Sequence, residues 1–379
     1  MTSVTTPDGL PDGLPDYLCP TDGTRVASDS LDWSCPTCRG PLDLDFSPTP
    51  APLDALSGRH VNSLWRYAEC LPLPAPAISL GEGRTPLVEL AGTVSAKLDF
   101  LMPTLSFKDR GAVVLAALAR RLGPDRVIAD SSGNAGTAVA AYCARAQLPC
   151  TVYVPARTSP KKLEQIGAHG ARLEVVDGDR EATARAARAA ADDPGTFYAS
   201  HVHNPYFLHG TKTYVHELWE DLGGRLPDAL VVPVGNGTLL LGAALAVREL
   251  RAAGLIERTP ELYAVQSAAV APLAAAWRAG ADDLLAETPM APTFAEGIAI
   301  PRPPRARQIL QAVRESGGAF LTVTEDQITA AQLDLAARGL YVESTGVACW
   351  AAVRDGTLGE RTTVVPLCGA GAKTGLATG

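Results

Sequence analysis

The feature that most constrains the fold is an alternation of short β-branched runs with longer helical runs through most of the chain. The β-branched runs predict strands at 126–130, 151–154, 172–176, 230–234, 262–266, 320–323 and 362–367. The segments between them have the apolar spacing of helices, at 112–122, 135–147, 160–166, 180–192, 239–253, 304–315 and 325–337. Such alternation is typical of parallel sheets covered by helices, so the predicted fold class is α/β.

Length and composition exclude several classes of function. A chain of 379 residues that is 46% hydrophobic can form two domains with cores of their own. The net charge of -8 and the dispersed basic residues disfavour nucleic-acid binding. We expect no membrane partner and a cytoplasmic location, because no stretch approaches the ~18 apolar residues of a spanning helix and the signal-peptide pattern is absent.

The first 45 residues differ from the rest of the chain. Residues 1–16 repeat Pro-Asp-Gly-Leu, and we predict a disordered tail there because the segment has little apolar surface to bury. Residues 17–45 form a compact cysteine-bearing unit, and a proline-rich linker at 47–52 follows it. The pattern predicts a small N-terminal appendage.

The cysteine spacing in this appendage suggests a metal site. Cys35 and Cys38 have the Cys-x2-Cys spacing of zinc ligands, whereas Cys19 is followed by Asp22 at the position of a second thiolate. Aspartate can ligate zinc, so a Cys3Asp zinc site is one interpretation. Because structural zinc sites are dominated by Cys and His, we favour a weakened or lost site.

Lys108 stands between an apolar segment and a long alanine-rich helix pattern. Such a lysine is either a solvated helix start or, when buried, an amine of lowered pKa that forms a Schiff base with an aldehyde. Glycine-rich loops at 131–136, 235–238 and 368–371 each follow a predicted strand. Ligands of open α/β sheets bind at the carboxyl ends of strands, so lysine and loops predict a cofactor site, with pyridoxal phosphate as the aldehyde.

Two of these loops suit particular parts of that cofactor and its substrate. The loop at 235–238 begins a helix and offers backbone N–H groups, a helix dipole and a hydroxyl to a phosphate. The Asn134 amide suits the ring hydroxyl of the cofactor, and Ser131, Ser132 and Gly133 suit a substrate carboxylate. The alternative for each loop is an ordinary strand-to-helix turn.

From about residue 80 onward the sequence resembles the fold-type II pyridoxal-phosphate enzymes, and most of all their threonine synthase branch. The resemblance is carried in order by the motifs at 81–87, 103–111, 131–136, 204–213, 294–298, 342–346 and 368–373. It implies two doubly wound parallel-sheet domains with the cofactor between them, after a zinc-ribbon-like appendage. The implied division is a large cofactor domain from 46–110 and 208–379, a small mobile substrate domain at 111–207, and a homodimer.

The resemblance also implies roles for individual residues. Lys108 would carry the cofactor and then move the Cα proton, Asn134 would contact the ring hydroxyl, and the phosphate would be held by Gly235, Asn236, Gly237, Thr238 and Leu239. Cys368 stands where the family usually has a serine or threonine facing the pyridine nitrogen. A thiol does not keep that nitrogen protonated, which favours elimination and replacement; the alternative is that Cys368 is only a small buried residue.

The implied reaction is elimination and replacement on O-phosphohomoserine, giving threonine and phosphate. The substrate phosphate needs additional cations or donors, for which the candidates are Thr104, Arg157, Ser159, Lys161, His201 and His203. Two departures from the family put the substrate in question: histidines where relatives often have an amide, and Met102 where they often have asparagine. Alternatives are a serine or threonine ammonia-lyase, a β-replacement enzyme making a specialised amino acid, and a non-catalytic ligand-sensing paralogue.

Overall fold

The computed structural model describes residues 13–377. Its strands are β1 Tyr17–Leu18, β2 Arg25–Val26, β3 Asp43–Leu44, β4 Leu87–Ala91, β5 Val94–Lys97, β6 Arg126–Ala129, β7 Cys150–Pro155, β8 Arg172–Val176, β9 Thr196–Tyr198, β10 Ala229–Pro233, β11 Glu261–Ser267, β12 Phe320–Val323 and β13 Thr363–Pro366. Its α-helices are α1 Leu53–Ser57, α2 Asp109–Leu122, α3 Asn134–Ala146, α4 Pro160–Gly167, α5 Arg180–Ala191, α6 Tyr206–Thr211, α7 Thr213–Asp221, α8 Thr238–Ala252, α9 Pro272–Arg278, α10 Ala306–Ser316, α11 Glu325–Ala337 and α12 Ser344–Val353. The predicted α/β class is confirmed.

The larger sheet has six strands in the order β12-β11-β10-β13-β5-β4. All neighbours in it run parallel except β4 and β5, which form an antiparallel pair at one edge. Every residue of β10 is buried, because helices cover both faces of the sheet centre. Strands β10 and β13 are adjacent and parallel, so the loops that follow them lie side by side at one edge of the sheet.

The smaller sheet has four parallel strands in the order β8-β7-β6-β9. Strand β6 runs into the loop at 131–133, and β9 runs into a turn at 199–204. Because β6 and β9 are neighbours, this loop and this turn also lie side by side at one sheet edge. The sheet lies within the predicted small domain, whose exact limits stay a prediction.

The chain enters the small-sheet unit along α2 and leaves it along α6, and glycines allow these two helices to touch. A Cβ on Gly210 would lie 2.1 Å from the carbonyl oxygen of Arg110 and 2.7 Å from the Cα of Gly111. A Cβ on Gly111 would lie 2.4 Å from the ring of Phe207. The two passages of the chain between the sheets are therefore in direct backbone contact.

The N-terminal appendage is a small antiparallel sheet in the order β2-β1-β3. Its Tyr17 and Leu42 belong to the same hydrophobic cluster as the apolar face of α2, so the appendage shares a core with the rest of the chain. Of the predicted disordered tail, residues 1–12 lie outside the described residues, while Leu14 packs partly buried against this cluster. Over residues 13–377, none of the helices has the length and apolar character that crossing a bilayer requires.

Candidate active site

Lys108 is the last residue before α2, and its main chain is already helical. Its carbonyl accepts the N–H groups of Gly111 and Ala112, which fixes its backbone to the first turn. Desolvation lowers the pKa of the Lys108 ammonium to about 8, and Arg180 acts in the same direction. A usable fraction of the amine is therefore neutral near pH 7, which a nucleophile or a base requires.

A network of fully buried charges anchors the first turn of α2. Arg110 pairs with Asp99 at 2.8 Å and with Glu217 at 2.5 Å, and Lys97 lies 3.1 Å from the same glutamate. The Arg110, Asp99, Glu217 and Lys97 side chains are all buried, and they come from β5, the turn after it, α2 and α7. The network links the position of Lys108 to the larger sheet.

The predicted phosphate loop has the backbone geometry that an anion site at a helix N-terminus requires. Gly237 has a φ of +75° and precedes α8, whose first intrahelical bond runs from the Leu241 N–H to the Gly237 carbonyl. The N–H groups of Thr238 and Leu239 therefore point out of the helix end, along its dipole. A Cβ on Gly235 would lie 2.8 Å from Ile300, and one on Gly237 would lie 2.4 Å from Ile309, so both positions require glycine.

Asn134 begins α3 and faces a buried carboxylate that the sequence analysis did not single out. Its Nδ2 atom donates to both oxygens of Glu343, each at 3.0 Å. Burial raises the pKa of the Glu343 carboxyl, while Asn134 and the Lys373 and Lys108 cations oppose that shift. A Cβ on Gly369 would lie 2.3 Å from the Glu343 carboxyl carbon. Asn134 and Glu343 thus bring the start of α3 to the loop after β13.

Cys368 lies two residues beyond the end of β13 and is buried close to Lys108. Its carbonyl accepts the Phe107 N–H at 2.9 Å, and Ser106 forms a β-bridge with Gly369. Burial raises the pKa of the Cys368 thiol well above its usual range, so the group is a neutral thiol. The buried Ser106 hydroxyl has no hydrogen-bond partner within residues 13–377. A neutral thiol and an unpaired hydroxyl beside the lysine suit a polar ring such as that of pyridoxal phosphate.

His201 belongs to the turn after β9 and reaches the phosphate loop. Its Nε2 lies 3.5 Å from the Nδ2 of Asn236, and its ring packs edge-on against Phe207. Burial and the charges of Lys108 and Arg180 lower the pKa of the His201 ring well below its usual range. The ring is therefore a neutral donor or acceptor between the two loops.

Some predicted substrate residues have other partners. The Thr104 hydroxyl and N–H donate to Asp109, so the hydroxyl proton is committed. The Lys161 ammonium donates to the Ala372 carbonyl at 2.8 Å, and this contact joins α4 to the last turn of the chain. The Ser131 hydroxyl accepts the Gly133 N–H. The assignment of these residues to the substrate stays a prediction.

His203 and Arg180 have places that the motifs did not indicate. His203 lies behind the turn, where its ring packs 5.0 Å from that of Trp33 in the appendage. Arg180, an exposed residue at the start of α5, is near enough to lower the pKa of both Lys108 and His201, and its guanidinium donates to the Asp130 carbonyl. In sequence Arg180 reads as a solvated helix start, so no signal marked it as a cation of the site.

The four candidate metal ligands of the appendage converge. The ligand atoms of Cys19, Asp22, Cys35 and Cys38 lie within 4.8 Å of one another. The Cys19 and Cys38 sulfurs are 3.5 Å apart, and the Cys35 sulfur is 3.5 Å from Asp22 Oδ2. Three thiols and a carboxylate are donor types that zinc accepts.

Comparison with known protein families agrees with a pyridoxal-phosphate site around Lys108. Residues 78–369 match the family described as "Pyridoxal-phosphate dependent enzyme". This protein belongs to that family of pyridoxal-phosphate-dependent enzymes.

Comparison with individual proteins shows which members of this family the chain resembles. The chain is 32% identical over 363 residues to a threonine synthase of Methanosarcina acetivorans, covering 92% of this chain and 89% of the relative. Among solved structures, maize serine racemase superposes with a TM-score of 0.65 at 21% identity, covering 76% of this chain and 88% of that one. The processed threonine deaminase isoform 2 of Solanum lycopersicum gives 0.65 at 22%, covering 76% and 83%. At these identities the two structures support the fold alone.

Proposed function

We propose that this protein is a pyridoxal-phosphate-dependent lyase of the threonine synthase type, which converts O-phosphohomoserine and water into threonine and phosphate. The observation that carries the proposal is the position of His201, whose ring lies 3.5 Å from Asn236 of the phosphate loop and whose pKa is lowered by burial, Lys108 and the nearby cation Arg180. A substrate with its own phosphate needs donors or cations of this kind in addition to the cofactor's phosphate site. Similarity over most of its length to a protein named threonine synthase supports the same reaction.

The residues around Lys108 fit pyridoxal phosphate. Lys108 would bond to it, the α8 N-terminus after Gly237 would hold its phosphate, and Asn134 and Cys368 would lie at its ring. When bound, the cofactor withdraws electrons from the substrate Cα and so makes the Cα proton acidic. Because Cys368 is a neutral thiol, it would donate at most a weak hydrogen bond to the ring nitrogen, which suits elimination and replacement.

Lys108 would serve as the base at the substrate Cα. Its pKa of about 8 leaves it able to accept a proton and to return it within one turnover near neutral pH. Phe107 lies against the amine, with its ring centroid 4.2 Å from Nζ, and limits the directions from which water can approach. The buried network at Arg110 keeps the lysine backbone in place while the side chain moves.

The substrate's two ends would bind at neighbouring loops. The N-terminus of α3 would offer N–H groups to a carboxylate beside Ser131, Ser132 and Gly133, because its first intrahelical bond begins only at the Thr137 N–H, while the Gly133 N–H also donates to the Ser131 hydroxyl. His201 and Arg180 would bind the phosphate, one as a neutral donor and the other as a cation. Because β6 and β9 are adjacent, the loop with Ser131 and the turn with His201 lie side by side, which supports the assignment of the two ends of one substrate to them.

Three further assignments stay predictions. We propose a zinc ion at Cys19, Asp22, Cys35 and Cys38, in place of the lost site favoured by the spacing, because all four ligand atoms converge. The homodimer and the cytoplasmic location rest on family resemblance and composition.

The function is tested with a substrate panel. Purified protein loaded with pyridoxal phosphate is given O-phosphohomoserine, serine, threonine and O-phosphoserine in turn, while phosphate, ammonia and keto acid are measured. Phosphate release from O-phosphohomoserine with threonine formation supports the proposal. Keto acid and ammonia from serine or threonine would instead identify an ammonia-lyase.

A pair of variants tests whether Arg180 binds the substrate phosphate. Arg180→Gln should raise KM for O-phosphohomoserine about tenfold, which corresponds to about 1.4 kcal/mol of lost binding to an exposed cation. Its cofactor absorbance should match that of the wild type. Arg172→Gln, an exposed arginine of β8 paired with Glu174, is the control. An unchanged KM in Arg180→Gln removes Arg180 from the substrate site.

A further inference from the structure

Arg305 stands out as a buried charge that the proposed reaction does not use. It precedes α10, and its side chain is fully buried. Each of its five N–H donors has an acceptor, which are Val202 O at 2.9 Å, His203 O at 3.1 Å, Leu42 O at 2.6 Å, Asp43 Oδ1 at 2.7 Å and Gln308 Oε1 at 2.9 Å. A guanidinium with all five donors paired in one plane is a rigid clamp, and a lysine cannot reproduce it.

The partners of Arg305 come from three parts of the fold. Leu42 and Asp43 belong to the appendage, Val202 and His203 to the turn after β9, and Gln308 to α10. The turn also closes on itself, since the Ser200 hydroxyl accepts the N–H groups of Val202 and His203. Arg305 therefore holds this turn through the carbonyl groups of Val202 and His203, on the side of the turn that faces the appendage.

The same turn carries His201 forward to the site. His201 immediately precedes the two carbonyl-bearing residues that Arg305 holds, and its ring stands 3.5 Å from Asn236 of the phosphate loop. Behind the turn, the Trp33 ring of the appendage packs against the His203 ring. Any shift of the clamped main chain moves the His201 ring relative to Asn236 and Lys108.

We infer that Arg305 is a positioning residue for the reaction, which acts through His201, and that the N-terminal appendage takes part in building the active site. The appendage supplies Asp43, the only carboxylate that the described residues place on Arg305. Without Asp43, a buried cation would be held by carbonyl and amide oxygens alone, which is costly. The inference rests on the proposed function for its kinetic readout.

The kinetic test is a double-mutant cycle in the full-length, cofactor-loaded protein. Arg305→Lys should lower kcat with O-phosphohomoserine about tenfold or more, because small misplacements of a substrate-contacting group have large effects on rate. In a His201→Asn background the same substitution should change kcat by less than about twofold, because Arg305 acts through that ring. Equal losses in both backgrounds, or an unchanged kcat in Arg305→Lys, would overturn the inference.

Matched variants separate positioning from stability. Asp43→Asn should lower kcat in the same direction but less, since the amide oxygen still accepts a hydrogen bond. Arg307→Gln, an exposed arginine two residues further along and paired with Asp283, should leave kcat unchanged. A lower melting temperature with normal kcat in Arg305→Lys would mean that Arg305 only holds the appendage in place.

A second readout does not depend on the substrate. In protein labelled at the histidine ring nitrogens, the His201 signals are identified by their loss in His201→Asn. They should shift in Arg305→Lys and stay in place in Arg307→Gln. If the wild type releases no phosphate from O-phosphohomoserine, the proposed function fails while this spectrum still decides the inference. Unmoved His201 signals in Arg305→Lys contradict it.

Discussion

Replacing Arg110 by methionine should destabilise the fold through charge rather than through packing. In the wild type the buried cations Arg110 and Lys97 balance the buried carboxylates Asp99 and Glu217. The substitution leaves one buried negative charge without a counter-charge, and breaking a buried pair costs about 3–5 kcal/mol. Over an unfolding entropy of about 2.1 cal/mol/K per residue for a chain of this length, the melting temperature should fall by about 4–6 °C.

The pH dependence of the melting temperature tests whether the destabilisation in Arg110→Met is electrostatic. Burial raises the pKa of Glu217, but Arg110 and Lys97 outweigh it and hold the pKa at about 2, below its ordinary 4.5. The stabilisation from this lowered pKa is present above pH 4.5 and is lost as the pH falls towards 2. The difference in melting temperature between wild type and Arg110→Met should therefore be largest at pH 7 and smaller at about pH 3.5.

Thermal melts of both proteins at the two pH values are the assay. Arg307→Met is the control, because its exposed pair with Asp283 contributes at most about 1 kcal/mol. A gap of equal size at both pH values would refute the electrostatic argument and assign the loss to packing. A melting temperature unchanged at pH 7 would refute the role of the network altogether.

Three other outcomes follow from the site. The rate at which the apoprotein captures pyridoxal phosphate should rise about fivefold from pH 7 to 8 and level off above pH 9, because the Lys108 pKa of about 8 sets the fraction of neutral amine. Stopped-flow absorbance measures this rate, and a rate that still rises beyond pH 9 contradicts the prediction. Gly237→Ala should weaken cofactor binding about tenfold or more in an absorbance titration, since φ is +75° and the new Cβ meets Ile309. The control Gly254→Ala has a similar φ of +69° but open space around the Cβ, and it should bind the cofactor normally. Equal affinities in the two variants would contradict the role of this loop in holding the cofactor. Plasma emission should find one zinc per chain in the wild type and none in Cys35→Ser; a wild type without zinc returns the appendage to a lost metal site.

Much of the fold could be predicted from the alternation of runs, because strands in parallel sheets and the helices that cover them differ in period and length. The strand predicted at 172–176 and the helix at 325–337 match β8 and α11 residue for residue. Helices α6 and α7 were not predicted, since nearly all their residues are buried and no polar face marks a helical period. Strand β9 has only three residues, too few for any period to show.

The candidate site also contains some residues that the local sequence predicts and others that it does not. Lys108, Asn134 and the phosphate loop lie in local motifs whose chemistry can be read from a few neighbouring residues. Arg180 and Glu343 reach the site through packing between elements distant in sequence, and their neighbours in sequence do not reveal it. Thr104 lies four residues before Lys108 and its hydroxyl donates to Asp109, a contact that the sequence did not indicate, while its assignment to the substrate stays a prediction.

The glycine contact between α2 and α6 has a consequence for protein engineering. Since Gly111 and Gly210 bring the entering and leaving passages of the chain together, the small-sheet unit is an insertion whose two ends touch. Such a unit can be exchanged for that of a relative without stretching the remaining chain, provided both glycines are kept. Substrate preference could then be transferred by exchanging this unit alone, while Lys108 and the loop that would hold the cofactor phosphate remain those of the original protein.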